Sequence, residues 1–143
     1  MFNKFDYIHM QCAHNWASLS HAKKKKVGAV IVTDKRCVSH GMNGTHESQP
    51  NSCEDKNGKT KVETIHAEMN AICFAAKHGI PLEGCTLYVT CAPCMSCIPH
   101  IASAGIKKII YNEDYISGSN GTDLELARSY GLEICKLEFN ELL

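Results

Sequence analysis

Two short segments constrain this chain more than anything else in it: His66-Ala67-Glu68 and Pro93-Cys94-Met95-Ser96-Cys97. Each reads as the start of a helix, and both helices follow strands of one sheet. Cys94 and Cys97, three apart, share a helix face and can reach a single ion, as His66 can from the neighbouring helix start. Any fold that satisfies both segments must bring the two helix starts together. Three protein donors leave the fourth tetrahedral position open, the arrangement of a catalytic rather than a structural zinc ion.

The rest of the chain supplies a sheet for those helices. Ile8, Cys12, Trp16 and Leu19 recur at spacings of three and four and predict an amphipathic helix from about Phe5 to Ser20. Val27 to Val32 reads as a buried strand, and Asp34-Lys35 turns it into a second strand from Arg36 to Gly41, a hairpin. The polar stretch from Asn43 to Glu63 lacks periodicity, and loops of that length in compact domains are usually functional. A helix is expected from His66 to Lys77, ended by Gly79 and Pro81. Cys85 to Thr90 follows as a strand, then a helix with Pro93 in its first turn running to about Ser103. Strands at Ile106 to Tyr111 and Leu132 to Leu137, with a short helix at Asp123 to Tyr130 between them, complete the pattern. A hairpin followed by alternating strands and helices implies one α/β domain over residues 1–143, a three-layer α/β/α sandwich with a mixed five-stranded sheet.

The chemistry of the two motifs is electrostatic. A helix N-terminus carries partial positive charge, which favours the thiolate forms that Cys94 and Cys97 need as ligands. Glu68 stands two residues from His66, so on a helix flank the two side chains would diverge. At a first turn seen end-on, both can face one cleft, His66 on the metal and Glu68 free for proton transfer. Taken alone, Cys94 and Cys97 could equally be a redox pair or half of a structural zinc site. The joint presence of His66, Glu68 and the intervening strand favours the catalytic reading.

Composition narrows the class of ligand. Acidic and basic residues balance at 15 each, and Arg36 and Arg128 are the sole arginines, so the chain lacks the electrostatic footprint of a nucleic-acid binder. No run approaches the roughly 20 apolar residues that cross a bilayer, and the first residues lack a signal-like apolar stretch, so a cytoplasmic protein is expected. Nine cysteines, an odd number without a secretory signal, point to reduced thiols. Cys12, Cys37, Cys73, Cys85 and Cys135 have apolar sequence neighbours and are expected in the core.

Histidine-x-glutamate followed by Pro-Cys-x-x-Cys is a known zinc-deaminase signature. Together with Val27 to Val32, Gly41 to Thr45, His66 to Ile72, Leu87 to Cys97 and Ala104 to Tyr111, it makes nearly the whole chain resemble the deoxycytidylate deaminases of the cytidine-deaminase-like superfamily. Asn70 and Gly44 are the discriminating positions, because tRNA adenosine deaminases and guanine deaminases usually differ there. The resemblance implies His66, Cys94 and Cys97 as zinc ligands and Glu68 as proton shuttle in the hydrolysis of dCMP to dUMP, which would supply thymidylate synthesis. It implies further that Asn43 hydrogen-bonds the sugar hydroxyl and that the Ala67 N–H meets the pyrimidine carbonyl. Asn43-Gly44 is also a common turn dipeptide.

Lys24, in the run Lys23 to Lys26, stands where family members often carry an arginine and is the candidate for the substrate phosphate; a merely solvated run is the alternative. Tyr115 falls where the family has an aromatic near the substrate, although packing at the domain edge would account for it equally. Many relatives are hexamers activated by dCTP with Mg2+ and inhibited by dTTP. The loop from Gly44 to Glu63 lies where effector contacts would be expected, but Thr45-His46 replaces the usual proline continuation. His21, His46 and Cys53 remain as donors for a second zinc, at a spacing that fits no compact motif. Two rivals to the dCMP reading are a deaminase of another cytosine or adenine substrate, free or in RNA, and an inert zinc module that binds a nucleotide. Glu68, which has no metal-holding role, speaks against the second.

Overall fold

The computed structural model describes residues 1–115 and 123–139. Nine elements follow one another: α1 (Lys4–Ala17), β1 (Gly28–Thr33), β2 (Arg36–Met42), α2 (Ala67–Lys77), β3 (Thr86–Cys91), α3 (Ile98–Ser103), β4 (Lys108–Glu113), α4 (Leu124–Ser129) and β5 (Glu133–Lys136). The strands form one sheet in the order β2-β1-β3-β4-β5. β1 runs antiparallel to both of its neighbours, β2 and β3, whereas β3, β4 and β5 are parallel, so the sheet is mixed as expected.

Alternation along the strands separates two cores. Ala29 and Ile31 of β1, with Leu87 and Val89 of β3, face α2, α3 and α4; Val30, Val32 and Tyr88 face Met10 and Ala13 of α1. Helices therefore cover both faces, which is the three-layer sandwich. Ile31, Leu87, Ile98 and Ile109 are fully buried, each contributing about 1.5–3 kcal/mol. The hairpin turns at Asp34 and Lys35 with φ of 50° and 64°, the left-handed pair that matches strand twist. α1 opens on a reciprocal cap: the Asn3 side chain accepts from the Phe5 and Asp6 N–H groups, and Asp6 accepts from the Asn3 N–H.

Two expectations need correction. The helix expected from Pro93 begins instead at Ile98, with Cys94 to Cys97 in a turn closed by the Cys97 N–H on the Cys94 carbonyl (3.1 Å). Pro99 is the reason: a helix already running from Cys94 would hold this proline in its interior, where it lacks an N–H and clashes with the preceding turn. Starting at Ile98 puts Pro99 in the first turn, where it is tolerated. The second correction concerns thiols. Cys85 is buried and Cys12 and Cys135 are half-buried, but Cys37 and Cys73 are exposed. Apolar sequence neighbours do not set orientation; Cys37 lies on the edge strand β2 and Cys73 on the outer side of α2, whose inner side carries Ala67, Ala71 and Ala75.

Candidate active site

His66 is the N-cap of α2 in an extended conformation, and its side chain does not cap the helix. It is therefore free to turn toward the end of β3, where Cys94 and Cys97 lie almost fully buried. His66 Nδ1 stands 3.3 Å from Cys97 Sγ and 3.5 Å from Cys94 Sγ, and the two sulfurs are 3.6 Å apart. Zinc at about 2.3 Å from thiolates and about 2.0 Å from imidazole sets tetrahedral neighbours about 3.8 Å (S···S) and about 3.5 Å (S···N) apart. The three donors already have that spacing, so the residues present fit the ion.

The three donors are linked to one another by hydrogen bonds. Cys94 is pulled down to about 3, first by the hydrogen bond from the Cys97 thiol and also by His66 and Ser96. Cys97, the donor in that pair, is pushed far up, and His66 is raised chiefly by its bond to Cys94. A zinc ion held by these three residues would displace the protons of those hydrogen bonds. The turn before α3, rather than the first turn of that helix, thus carries both thiols.

Glu68, in the first turn of α2, is 3 % exposed. Burial pushes its carboxyl up to about 7, against smaller opposing contributions from its own backbone N–H and from His66. That buried carboxyl lines the same cavity as His66 and Cys94. Its position at the helix start is what lets it and His66 face one cavity despite standing two residues apart.

That cavity, about 500 Å3, is lined by seven of the eight residues singled out in the sequence: Lys24, Asn43, His66, Ala67, Glu68, Cys94 and Tyr115. Cys97 is buried behind Cys94. Ala67 is the first residue of α2, so its N–H has no intrahelical acceptor. Asn43 is more occupied than expected. Its Oδ1 accepts from the Val27 N–H (2.9 Å) and lies 2.7 Å from Ser20 Oγ, while Nδ2 donates to the Lys25 carbonyl (2.8 Å). One amide N–H remains for a ligand. Asn70 does not line the cavity; its Nδ2 donates to the Met42 carbonyl (2.5 Å) and ties α2 to the end of β2.

Of the two cavity lysines, Lys25 is paired with Glu113, whereas Lys24 has no ion pair among the described residues. Glu54, Cys91, Thr64 and Asp114 also line the cavity and were missed in the sequence. Glu54 and Thr64 come from an aperiodic stretch in which no local pattern marks them. Cys91 ends β3, three residues before Cys94, and could have been found by extending that strand. His21, His46 and Cys53 are not brought together: among the described residues, His66, Cys94 and Cys97 form the one group of three metal donors. Cys53 is buried and lines the cavity, and exposed His46 bonds the Ser48 hydroxyl (2.7 Å).

Fold and site together define a zinc-dependent hydrolytic enzyme, with three donors spaced for one ion, a buried carboxyl beside them and a nucleotide-sized cavity. Residues 3–113 match the model of the cytidine and deoxycytidylate deaminase zinc-binding region, and the chain belongs to that family. ComE operon protein 2 of Bacillus subtilis is 37 % identical over 139 residues, covering 94 % of this chain and 71 % of that protein. The deoxycytidylate deaminase of Enterobacteria phage T4 is 40 % identical over 132 residues, 87 % of this chain and 65 % of that enzyme. The dCMP deaminase of cyanophage S-TIM5, solved in complex with dCMP and dUMP, superposes with a TM-score of 0.88 at 32 % identity, covering 96 % of this chain and 99 % of that one. No helix among the described residues is long and apolar enough to cross a membrane.

Proposed function

We propose that the chain hydrolyses dCMP to dUMP and ammonia. The observation that carries this reading is the cavity itself: a buried Glu68 beside the zinc donors His66 and Cys94 in its lining, and on its wall Lys24, which has no ion pair among the described residues. That combination suits a cytosine ring carried on a 5′-monophosphate. Likeness to the T4 and S-TIM5 enzymes supports the choice of substrate.

A bound zinc ion acidifies water from a pKa of about 16 to about 7, making it a nucleophile at neutral pH. Glu68 does the proton bookkeeping. Its carboxylate takes a proton from the attacking water and passes it to N3 as the oxygen adds to C4. It then moves the remaining hydroxyl proton to the exocyclic amine; the C4–N bond breaks, ammonia leaves and C4 becomes a carbonyl. The Ala67 N–H holds the O2 carbonyl, the free Asn43 N–H meets the sugar hydroxyl, Tyr115 walls the ring and Lys24 meets the phosphate.

Ammonia release from dCMP, CMP, cytidine and a tRNA anticodon stem tests the reading. Fastest turnover of dCMP is expected; release from the stem alone would refute it. Supply of dUMP for thymidylate synthesis, activation by dCTP with Mg2+, inhibition by dTTP and hexamer assembly extend the same reading. Rates with and without dCTP, and sedimentation, check the last three.

A further inference from the structure

Lys23 to Lys26 is a run of four lysines outside any helix or strand, and its side chains are exposed. A phosphate-binding lysine on a loose segment binds poorly, because the entropy lost in ordering its backbone and side chain opposes binding. Here the segment is held from two sides. The Lys23 N–H donates to both carboxylate oxygens of Glu54 (3.1 and 3.0 Å), and the Lys24 N–H donates to Oε2 (3.2 Å). Beyond them, Asn43 takes the Val27 N–H and gives an N–H to the Lys25 carbonyl.

Glu54 can act as a brace because its own loop is fixed. Its neighbour Cys53 is 1 % exposed, and the Cys53 carbonyl accepts from the Lys61 N–H (2.8 Å) and the Thr64 hydroxyl (2.9 Å). Glu54 also bridges to Thr60, and Gly44 to Ile65, which joins the loop to the start of α2 through exchanged backbone bonds of 3.0 and 2.7 Å. A carboxylate in a wall meant for a phosphate is otherwise a liability. Two convergent backbone N–H groups, of Lys23 and Lys24, meet its charge, and the Lys24 ammonium has no ion pair among the described residues.

We propose that Glu54 is a positioning residue for phosphate recognition, fixing the Lys23-Lys24 backbone so that the Lys24 ammonium is presented to the 5′-phosphate. The inference rests on the dCMP reading and deepens it. It assigns the long polar loop a part in selecting nucleotides over nucleosides.

A double-mutant cycle tests it. Glu54→Ala, and Glu54→Gln as the isosteric variant in case the first fails to fold, are measured with dCMP in the native and Lys24→Ala backgrounds. Expected is a rise in KM of roughly tenfold with kcat held, and a further rise of less than about twofold once Lys24 is gone, because both residues act through one contact. An unchanged or lowered KM overturns the proposal, the latter showing that Glu54 competes with phosphate. So does a fall in kcat at constant KM, or full additivity with Lys24→Ala. If the native protein releases no ammonia from dCMP, the substrate reading is what has failed.

Discussion

A Cβ added to Gly41 would stand 2.5 Å from the carbonyl oxygen of Ala67 and 2.7 Å from the N–H nitrogen of Ala71. Strand β2 thus touches the backbone of α2 directly, at the turn of helix that carries Glu68. Gly41→Ala must push α2 outward, at about 1–3 kcal/mol for the overpacking. Because the helix start moves with it, kcat should fall together with stability. Denaturant midpoints and steady-state rates on the same preparation check this; a variant with lower stability but native kcat would show that the displacement stops short of Glu68.

Glu68→Gln separates proton transfer from metal binding. The amide fills the same buried space but cannot shuttle protons, and Glu68 is not among the three zinc donors. Turnover should drop by about 10²–10⁴-fold with zinc content unchanged. Metal analysis beside ammonia release measures both quantities, and full activity in this variant would remove the mechanism.

Removal of zinc should unsettle the fold as well as the chemistry. Cys94 and Cys97 are each 4 % exposed and stand between the end of β3 and α3. An ion bound at a thousandfold over its Kd stabilises the folded state by about 4 kcal/mol. Chelation should therefore abolish activity and lower Tm, both recovered on adding zinc, and Cys97→Ser should behave as the chelated protein does. A Tm indifferent to chelation would mean that the site is not loaded in the folded enzyme.

Much of this was legible in the residues because it depends on local pattern. Asp34-Lys35 after an apolar run specified the hairpin, and the unbroken apolar run from Val27 to Val32 marked a strand covered on both faces, as the split of Val30 and Ile31 between two cores bears out. The zinc donors were legible because metal chemistry restricts residue type and spacing together. What escaped was decided by contacts distant in sequence. Glu54 reaches Lys23 across 31 residues, and nothing in the stretch around it distinguishes that carboxylate from its solvated neighbours. The two functions of Asn43 were also hidden, since a turn dipeptide does not reveal that its amide will be claimed by Ser20, Lys25 and Val27. Pro99 was legible and decisive; weighing Pro93 alone put the helix start too early.

Lys24 and Lys25 offer the last contrast, because they are adjacent and both line the cavity yet differ in partners. Lys25 is tied to Glu113, their side chains 47 % and 42 % exposed, so its charge is largely neutralised locally and the pair adds little stability in water. Lys24, with no ion pair among the described residues, is free to meet a dianion. Lys24→Ala should raise KM for dCMP by roughly tenfold or more, the worth of one charge-assisted hydrogen bond, with kcat little changed. Lys25→Ala should raise it by less than about threefold, since the substitution removes a charge already paired. Added salt should narrow the gap between native and Lys24→Ala enzymes, because screening weakens an exposed ammonium–phosphate contact. Equal KM values for the two variants would mean that the phosphate is held elsewhere on the cavity wall.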